Sequence, residues 1–204
     1  MIVGVDFDNT IVCYDGIFHA LASERRLIPA DLPRTKDAVR NHLRLIGRED
    51  EWTVMQGKAY GVRMDEAACF PGVKEFFEEC ESRGITTVII SHKTKTPYLG
   101  EPYDLRAAAQ GWLKLNGFYS LPISMTPDRV FFESTKDEKL QRIAACGCDF
   151  FIDDLPEFLA ESAFPPNVEQ VLFDPNGSNS NSPFKKLRNW SEALPFVTNK
   201  AANP

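Results

Sequence analysis

Two aspartates separated by a single residue follow the first apolar segment of the chain. Asp6 and Asp8 lie in the run Asp-Phe-Asp-Asn-Thr, directly after residues 2–5. Residues two apart in an extended strand point to the same side, so both carboxylates can face one pocket. Carboxylates this close repel each other unless one holds a proton or a cation lies between them. The pair indicates a hard-oxygen magnesium site or an acid/base group beside a nucleophile, although two solvated acids in a turn have the same pattern.

Further polar residues occur where other predicted elements begin or end. Ser91 follows the second apolar segment, Asp153 and Asp154 follow the fourth, and Lys136 lies at an evident helix start. Each has a structural alternative, namely a strand-end serine, a helix-capping acid or a solvated lysine. Lys139, one helical turn further on, competes with Lys136, and spacing from the preceding strand favours Lys136.

Short apolar segments alternate with amphipathic stretches along most of the chain. The predicted strands are 2–5, 85–90, 130–132, 150–152 and 168–173, and the predicted helices are 73–83, 104–116, 137–146, 156–163 and 184–194. This alternation is typical of a parallel sheet covered by helices. In such sheets ligands bind outside the carboxyl ends of the strands, where the polar residues described above are predicted to lie.

Residues 15–70 interrupt the alternation. They contain no convincing strand and divide into three helical pieces near 17–26, 35–46 and 49–60. A structureless loop of this length is implausible in a compact domain. We therefore expect a small helical cap at 15–70 over the carboxyl edge of the sheet, and a catalytic core formed by 1–14 and 71–204.

Composition limits the classes of function. The 204 residues include 23 basic and 29 acidic side chains, for a formal charge of −6, and 43% of the residues are hydrophobic. An acidic chain is a poor match to a nucleic-acid backbone, and no apolar run approaches the length of a membrane span. The absence of a basic leader predicts a cytoplasmic protein, and the five cysteines predict reduced thiols. We expect a monomer or homodimer that binds neither nucleic acid nor membrane.

Taken together and in this order, the polar positions resemble the motifs of the haloacid dehalogenase (HAD) superfamily of phosphohydrolases. Asp6-Phe7-Asp8-Asn9-Thr10 is close to the first motif, D-x-D-x-T after an apolar strand. Ile89-Ile90-Ser91, Lys136 and Phe151-Ile152-Asp153-Asp154 fit the second, third and fourth, although a single serine or lysine is weak in isolation. The resemblance covers 1–14 and 71–174. It implies a Rossmann-like, doubly wound α/β fold of five main strands, with the first strand central between the Ser91 strand and the Asp153-Asp154 strand.

The resemblance also implies roles for individual residues. Asp6 would be the nucleophile that forms an aspartyl-phosphate, and Asp8 would protonate the leaving oxygen and then activate water. Thr10 would hydrogen-bond near the nucleophile, Ser91 would donate to a phosphate oxygen, and Lys136 would neutralise phosphate charge.

The same resemblance implies a Mg²⁺ ion held by Asp6, by the backbone carbonyl of Asp8 and by an acid of the fourth motif. Asp154 is favoured as the direct ligand, with Asp153 behind it or acting through water, and the sequence leaves their order open. His92 or Lys93 is expected to contact substrate, although a solvated basic turn is an equal alternative.

The function that follows is a Mg²⁺-dependent phosphomonoester hydrolase for a small phosphorylated metabolite. Asp8 favours a phosphate ester over a halide, because a halide leaving group needs no proton. Three alternatives stay open: a phosphotransferase or mutase, a non-catalytic phospholigand-binding protein and, less favoured by the acidic charge, a nucleic-acid 3′-phosphatase.

Overall fold

The computed structural model describes residues 1–201 and divides the chain into two compact units. The first, here called the sheet unit, comprises Met1–Ile11, Cys69–His92 and the chain from Gly117 onward. The second, here called the helical unit, comprises Val12–Ala68 and Lys93–Asn116.

The described residues form the following elements. The strands are β1 (Ile2–Val5), β2 (Val12–Cys13), β3 (Ala68–Cys69), β4 (Thr86–His92), β5 (Val130–Glu133), β6 (Phe150–Asp153), β7 (Glu169–Phe173) and β8 (Lys185–Leu187). The α-helices are α1 (Asp15–Glu24), α2 (Lys36–Leu45), α3 (Glu49–Tyr60), α4 (Val73–Ser82), α5 (Leu105–Leu115), α6 (Lys136–Ala145), α7 (Pro156–Leu159) and α8 (Ala193–Ala201). Short 3₁₀ helices cover Met64–Glu66, Pro127–Arg129 and Trp190–Glu192.

The main sheet is six-stranded and parallel, in the order β5-β4-β1-β6-β7-β8, and helices flank it. Val5 at the end of β1 lies opposite Ile89 of β4 on one side and Ile152 of β6 on the other. The predicted α/β fold and the predicted neighbours of the first strand are therefore confirmed. Because the three central strands run in register to one edge, the residues that follow them emerge side by side.

The central strands are apolar on both faces because the sheet is covered on both. Val3 and Val5 of β1 and Phe151 of β6 are fully buried. Gly4 lies between the two valines, and a Cβ atom there would come within 2.5 Å of Cδ2 of Phe151 and 2.9 Å of Sγ of Cys148. The absent side chain at Gly4 thus leaves the space that the Phe151 ring occupies.

The helix predicted at 184–194 is wrong over most of its length. The chain forms the edge strand β8, a 3₁₀ turn at Trp190–Glu192, and α8 only from Ala193. Lys185 lies opposite Val171 of β7, and its Nζ is 2.6 Å from Oε1 of Glu169. A short lysine-bearing strand is typical of a sheet edge, which must resist pairing with other chains. Similarly, the helix predicted at 156–163 ends at Leu159.

The helical unit has an aromatic core. The Phe18 ring of α1 stacks on Trp52 of α3 with centroids 4.4 Å apart, and Tyr60 packs edge-on against Phe18. Helix α5 belongs to this unit, and its Trp112 donates from Nε1 to the carbonyl of Ala67 at 2.9 Å. Residues 93–116 thus belong to the helical unit, although the sequence predicts them as part of the catalytic core. None of the described helices has both the length and the apolar character needed to cross a bilayer.

The tight contact at Gly4 predicts that a methyl group destabilises the protein there but not at Gly111. Gly4→Ala should lower the free energy of unfolding by about 1–3 kcal/mol, because the buried Phe151 ring has to shift. Gly111→Ala is the matched control, since Gly111 lies in α5 with no atom within 4 Å of a built Cβ. That change should be neutral or stabilising by up to about 1 kcal/mol. Urea unfolding of both variants measures the difference, and equal stabilities would contradict the packing described.

Candidate active site

Three carboxylates converge at the carboxyl edge of the central strands. Asp6 follows β1, while Asp153 ends β6 and Asp154 comes directly after it. One carboxylate oxygen from each lies within 4.8 Å of the others, and Asp6 and Asp153 are 4% and 0% exposed. The parallel register of β1 and β6 therefore gathers acids that are almost 150 residues apart in the chain.

A buried lysine holds two of these acids. Nζ of Lys139 lies 2.6 Å from Oδ1 of Asp6 and 2.6 Å from Oδ2 of Asp153. The Lys139 side chain is 3% exposed, and the rings of Phe158 and Phe151 lie 4.1 and 5.3 Å from Nζ. Aromatic faces attract a cation, so these two rings favour the charged ammonium and offset part of the cost of its burial.

The preference for Lys136 over Lys139 is wrong, because the structure does not bring Lys136 to the acids. Lys136 is exposed, and its Nζ is 3.9 Å from Oε1 of Glu161. A capping box between Thr135 and Glu138 begins α6, which puts Lys136 in its first turn facing outward. Lys139 shares the buried face of α6 with Ile143, four residues on. The sequence contains this helical spacing, but a choice based on distance from the strand end ignores it.

The charges in this cluster depend on one another. Burial raises the pKa of Asp6 from 3.8 to about 7; the Lys139 ammonium opposes the rise, and the Asp153 and Asp8 carboxylates add to it. Burial alone would lower the pKa of Lys139, but Asp153 and Asp6 outweigh it and the pKa is raised. Lys139 is therefore a permanent cation that compensates part of the carboxylate charge.

The two acids of the fourth motif have different surroundings. Asp153 accepts from Lys139 at Oδ2 and from the backbone N–H of Leu155 at Oδ1, 2.9 Å away. Asp154 is partly exposed, and its Oδ1 accepts from the Thr10 hydroxyl at 3.5 Å, which is long for such a bond. Both oxygens of Asp153 thus have donors, and Asp154 is the more exposed of the two acids.

The loop after β1 has a strained residue next to Asp8. Asn9 has φ +60°, and the backbone N–H of Ile11 donates to the carbonyl of Phe7 at 3.1 Å to close the turn. Asn tolerates this left-handed region better than most residues. Asp8 is half-buried and Thr10 is fully buried. The turn redirects the chain so that Asp8 and Thr10 follow Asp6 at the same edge.

The other predicted site residues lie at or beyond the end of β4. Ser91 is buried and lies two residues beyond Ile89, the partner of Val5 in β1. His92 is exposed, and its Nε2 is 3.0 Å from the carbonyl oxygen of Ser134. Lys93 belongs to the helical unit, where it is buried with Nζ 4.9 Å from the centroid of the Tyr60 ring.

The sequence matches no family profile and no curated protein. Solved structures of HAD-superfamily hydrolases are nevertheless similar in fold. A HAD family hydrolase from Deinococcus radiodurans, solved with bound phosphate and sodium, has a TM-score of 0.63 at 14% identity over 97% of this chain and 94% of its own. A predicted phosphoglycolate phosphatase from Haemophilus somnus has a TM-score of 0.60 at 13% identity over 96% and 97%. A dehalogenase has a TM-score of 0.53 at 14% identity, covering 95% of each chain.

The chain therefore has the fold of the HAD-superfamily hydrolases. The likeness extends over nearly the whole chain, whereas the motifs cover only 1–14 and 71–174. At these identities the likeness shows the fold alone, so the chemistry has to be argued from the side chains at the carboxyl edge.

The buried ammonium predicts a large difference between two lysines of α6. Lys139→Met should lower the free energy of unfolding by about 3–5 kcal/mol near neutral pH, because Asp6 and Asp153 lose their counter-charge. Lys136→Met is the matched control and should change it by no more than about 0.5 kcal/mol, because the residue is exposed. Urea unfolding measures both.

The effect of Lys139→Met should depend on pH in one direction. Protonated carboxyl groups need no counter-charge, so the destabilisation should shrink as the pH falls from about 8 to about 5. A destabilisation that stays constant, or a loss as large for Lys136→Met, would contradict the charge assignment.

The backbone of Asn9 predicts which substitutions the loop accepts. Asn9→Gly should leave the free energy of unfolding within about 0.5 kcal/mol of wild type, since glycine adopts positive φ freely. Asn9→Val should lower it by about 1–2 kcal/mol, because a β-branched residue is strained there. Thermal or urea unfolding tests this pair, and a valine variant as stable as the glycine variant would show that the left-handed turn is not required.

Proposed function

We propose that this protein is a Mg²⁺-dependent phosphomonoester hydrolase that acts on a small phosphorylated metabolite through an aspartyl-phosphate on Asp6. The observation that carries the proposal is the buried contact of Lys139 with Asp6 and Asp153, beside Asp154, at the carboxyl edge of the sheet. Two buried acids and a buried ammonium, with a third, partly exposed acid beside them, are costly to desolvate. Chemistry on a charged phosphate group explains why they are there.

Asp6 is suited to act as the nucleophile. Its carboxylate is buried, so less water solvates it, and the Lys139 ammonium opposes the rise in its pKa. In the first step a carboxylate oxygen of Asp6 bonds to phosphorus while the ester P–O bond breaks. Asp8 gives its proton to the departing oxygen. In the second step Asp8 takes a proton from water as that water attacks phosphorus, which releases phosphate and regenerates both acids.

The donor set fits a hard divalent cation. Carboxylate oxygens of Asp6, Asp153 and Asp154 are close enough to share one ion, and Mg²⁺ prefers such oxygen ligands together with water. Asp154 is the better direct ligand because it is the more exposed of the two acids, whereas both oxygens of Asp153 accept hydrogen bonds from Lys139 and Leu155. When bound, Mg²⁺ would offset the negative charge of the phosphate.

Three further residues complete the proposed site, and one is left out. Ser91 supplies a buried hydroxyl for a phosphate oxygen, Thr10 steadies the loop of Asp6, and Lys139 takes the charge-neutralising role expected of Lys136. His92 is left out, because its ring is exposed and engages the Ser134 carbonyl.

The proteins of similar fold include both phosphate and halide chemistry, and Asp8 decides between the two substrates. The Deinococcus hydrolase holds phosphate, and the Haemophilus protein is described as a predicted phosphoglycolate phosphatase. A dehalogenase shares the fold as well. Asp8 favours the ester, since a proton donor beside the nucleophile has no use when the leaving group is a halide.

Phosphate release from a panel of phosphorylated metabolites tests the proposal. We expect release with Mg²⁺, none with chelator, and a loss of at least about 1,000-fold in kcat for Asp6→Asn, since the amide is not a nucleophile. Asp149→Asn is the matched control: Asp149 precedes β6 and accepts from the backbone N–H of Ile2, a role that an amide oxygen can keep. A folded Asp6→Asn variant with wild-type turnover would overturn the nucleophile assignment.

The same assay separates the competing functions. Adding an alcohol acceptor and measuring its phosphorylated product distinguishes transfer to another hydroxyl from transfer to water. Chloride release from a haloacid would instead indicate dehalogenation. Tight binding of a phosphorylated ligand without turnover across the panel would indicate a binding protein.

A further inference from the structure

A tryptophan far along the chain holds the loop that contains the candidate nucleophile. Trp190 lies in the 3₁₀ turn before α8, and its Nε1–H donates to the backbone carbonyl of Thr10 at 3.1 Å. The two residues are separated by 180 positions in sequence. Trp190 is 1% exposed and Thr10 is fully buried, so water cannot take over this hydrogen bond. Without the indole donor the Thr10 carbonyl would be a buried, unsatisfied acceptor.

The indole ring is held rigidly. Phe76 and Phe173 pack against it with centroids 5.1 and 5.6 Å away. Cβ of Trp190 lies 3.0 Å from the position of a Cβ built on Gly72, so even a methyl group would crowd this contact. A donor fixed by three neighbours can fix its acceptor in turn.

The short turn that holds Trp190 is itself tied. The Glu192 carboxylate accepts from the backbone N–H of Arg188 at 3.0 Å and from Nδ2 of Asn189 at 2.7 Å. These hydrogen bonds close the turn around Trp190. These hydrogen bonds therefore hold in place the segment that carries the indole N–H.

The loop that receives the hydrogen bond needs such support. Asn9 is in the left-handed region, which costs conformational energy unless neighbouring contacts compensate for it. The carbonyl of Ile11 accepts from the backbone N–H of Phe70 at 2.9 Å, and the carbonyl of Thr10 accepts from Trp190. Both anchors lie just beyond Asn9, so together they fix the direction in which the turn leaves β1.

Thr10 also contacts an acid of the site through its side chain. The Thr10 hydroxyl donates to Oδ1 of Asp154 at 3.5 Å. A chain of hydrogen bonds thus runs from the indole of Trp190 through Thr10 to the acid proposed as the direct cation ligand. Mutation of a group that hydrogen-bonds to a metal ligand typically weakens metal binding by about 10- to 100-fold.

We propose that Trp190 is a positioning residue of the candidate active site: its indole N–H fixes Thr10, and through the Thr10 hydroxyl it sets the orientation in which Asp154 binds the cation. The proposal rests on the proposed function, since it assumes that the acids bind a divalent cation. Trp190 is not among the residues proposed to hold phosphate or cation. Its effect is therefore on cation affinity, which a purely structural tryptophan would not alter.

Calorimetric titration with Mg²⁺ tests the proposal on two matched variants of the full chain. Trp190→Phe removes the N–H and keeps most of the ring, and we expect about 10-fold weaker Mg²⁺ binding. Trp112→Phe is the control, because Trp112 is also 1% exposed and donates to a backbone carbonyl, that of Ala67 in the helical unit, at 2.9 Å. We expect a similar loss of thermal stability in both variants, with unchanged Mg²⁺ affinity in Trp112→Phe.

Thr10→Val provides a second measurement if Trp190→Phe does not fold. It removes the hydroxyl while keeping the carbonyl that Trp190 contacts, and it should weaken Mg²⁺ binding as well. In the double variant the two losses should be less than additive, because both changes interrupt the same chain of hydrogen bonds.

The outcomes separate the inference from the function on which it rests. Wild-type protein that does not bind Mg²⁺ would overturn the proposed function and the inference with it. Wild-type protein that binds Mg²⁺, with an equal affinity in Trp190→Phe or in Thr10→Val, would overturn the inference alone. An equal weakening in Trp112→Phe would show that the effect is a general loss of stability, which also overturns it.

Discussion

The buried ammonium of Lys139 is the interaction on which the site depends. Two carboxylates at the ends of adjacent strands repel each other, and in a dry edge of the sheet that repulsion is poorly screened. The Lys139 ammonium lies 2.6 Å from both acids and supplies the positive charge that lets them stay close. The fold must therefore bring three segments together, namely β1, β6 and the buried face of α6. Parallel pairing places β1 beside β6, and the helical spacing of α6 turns Lys139 toward them.

The architecture and the acids were accessible from sequence, because each depends on a local pattern. Apolar runs that end on Asp6, Ser91 and Asp153 predicted the central strands. The resemblance to the HAD superfamily implied which strands are neighbours, and the structure has them in that order. The edge strand at Lys185–Leu187 was not predicted, because its three residues carry no apolar alternation and only pairing with β7 makes it a strand.

The choice of lysine shows why some site residues elude local reasoning. Distance from a strand end favoured Lys136, whereas the helix start at Thr135 decides which residue faces inward. The role of Trp190 is even harder to predict, since no residue near it in the sequence indicates a contact with Thr10. A hydrogen bond across 180 residues is a property of the folded sheet, and sequence patterns with periods of two or 3.6 residues do not reveal it.

The position of Trp190 has a consequence for the order of assembly. During synthesis the segments that carry every acid of the site emerge before the segment that anchors their loop, because the turn at Trp190–Glu192 follows all of them in the chain. A growing chain therefore contains the charged cluster while the Thr10 carbonyl still lacks its indole donor. Contacts this distant in sequence form late and slow folding. The site is therefore complete only after the segment around Trp190 has been synthesised and has packed against the loop of Thr10.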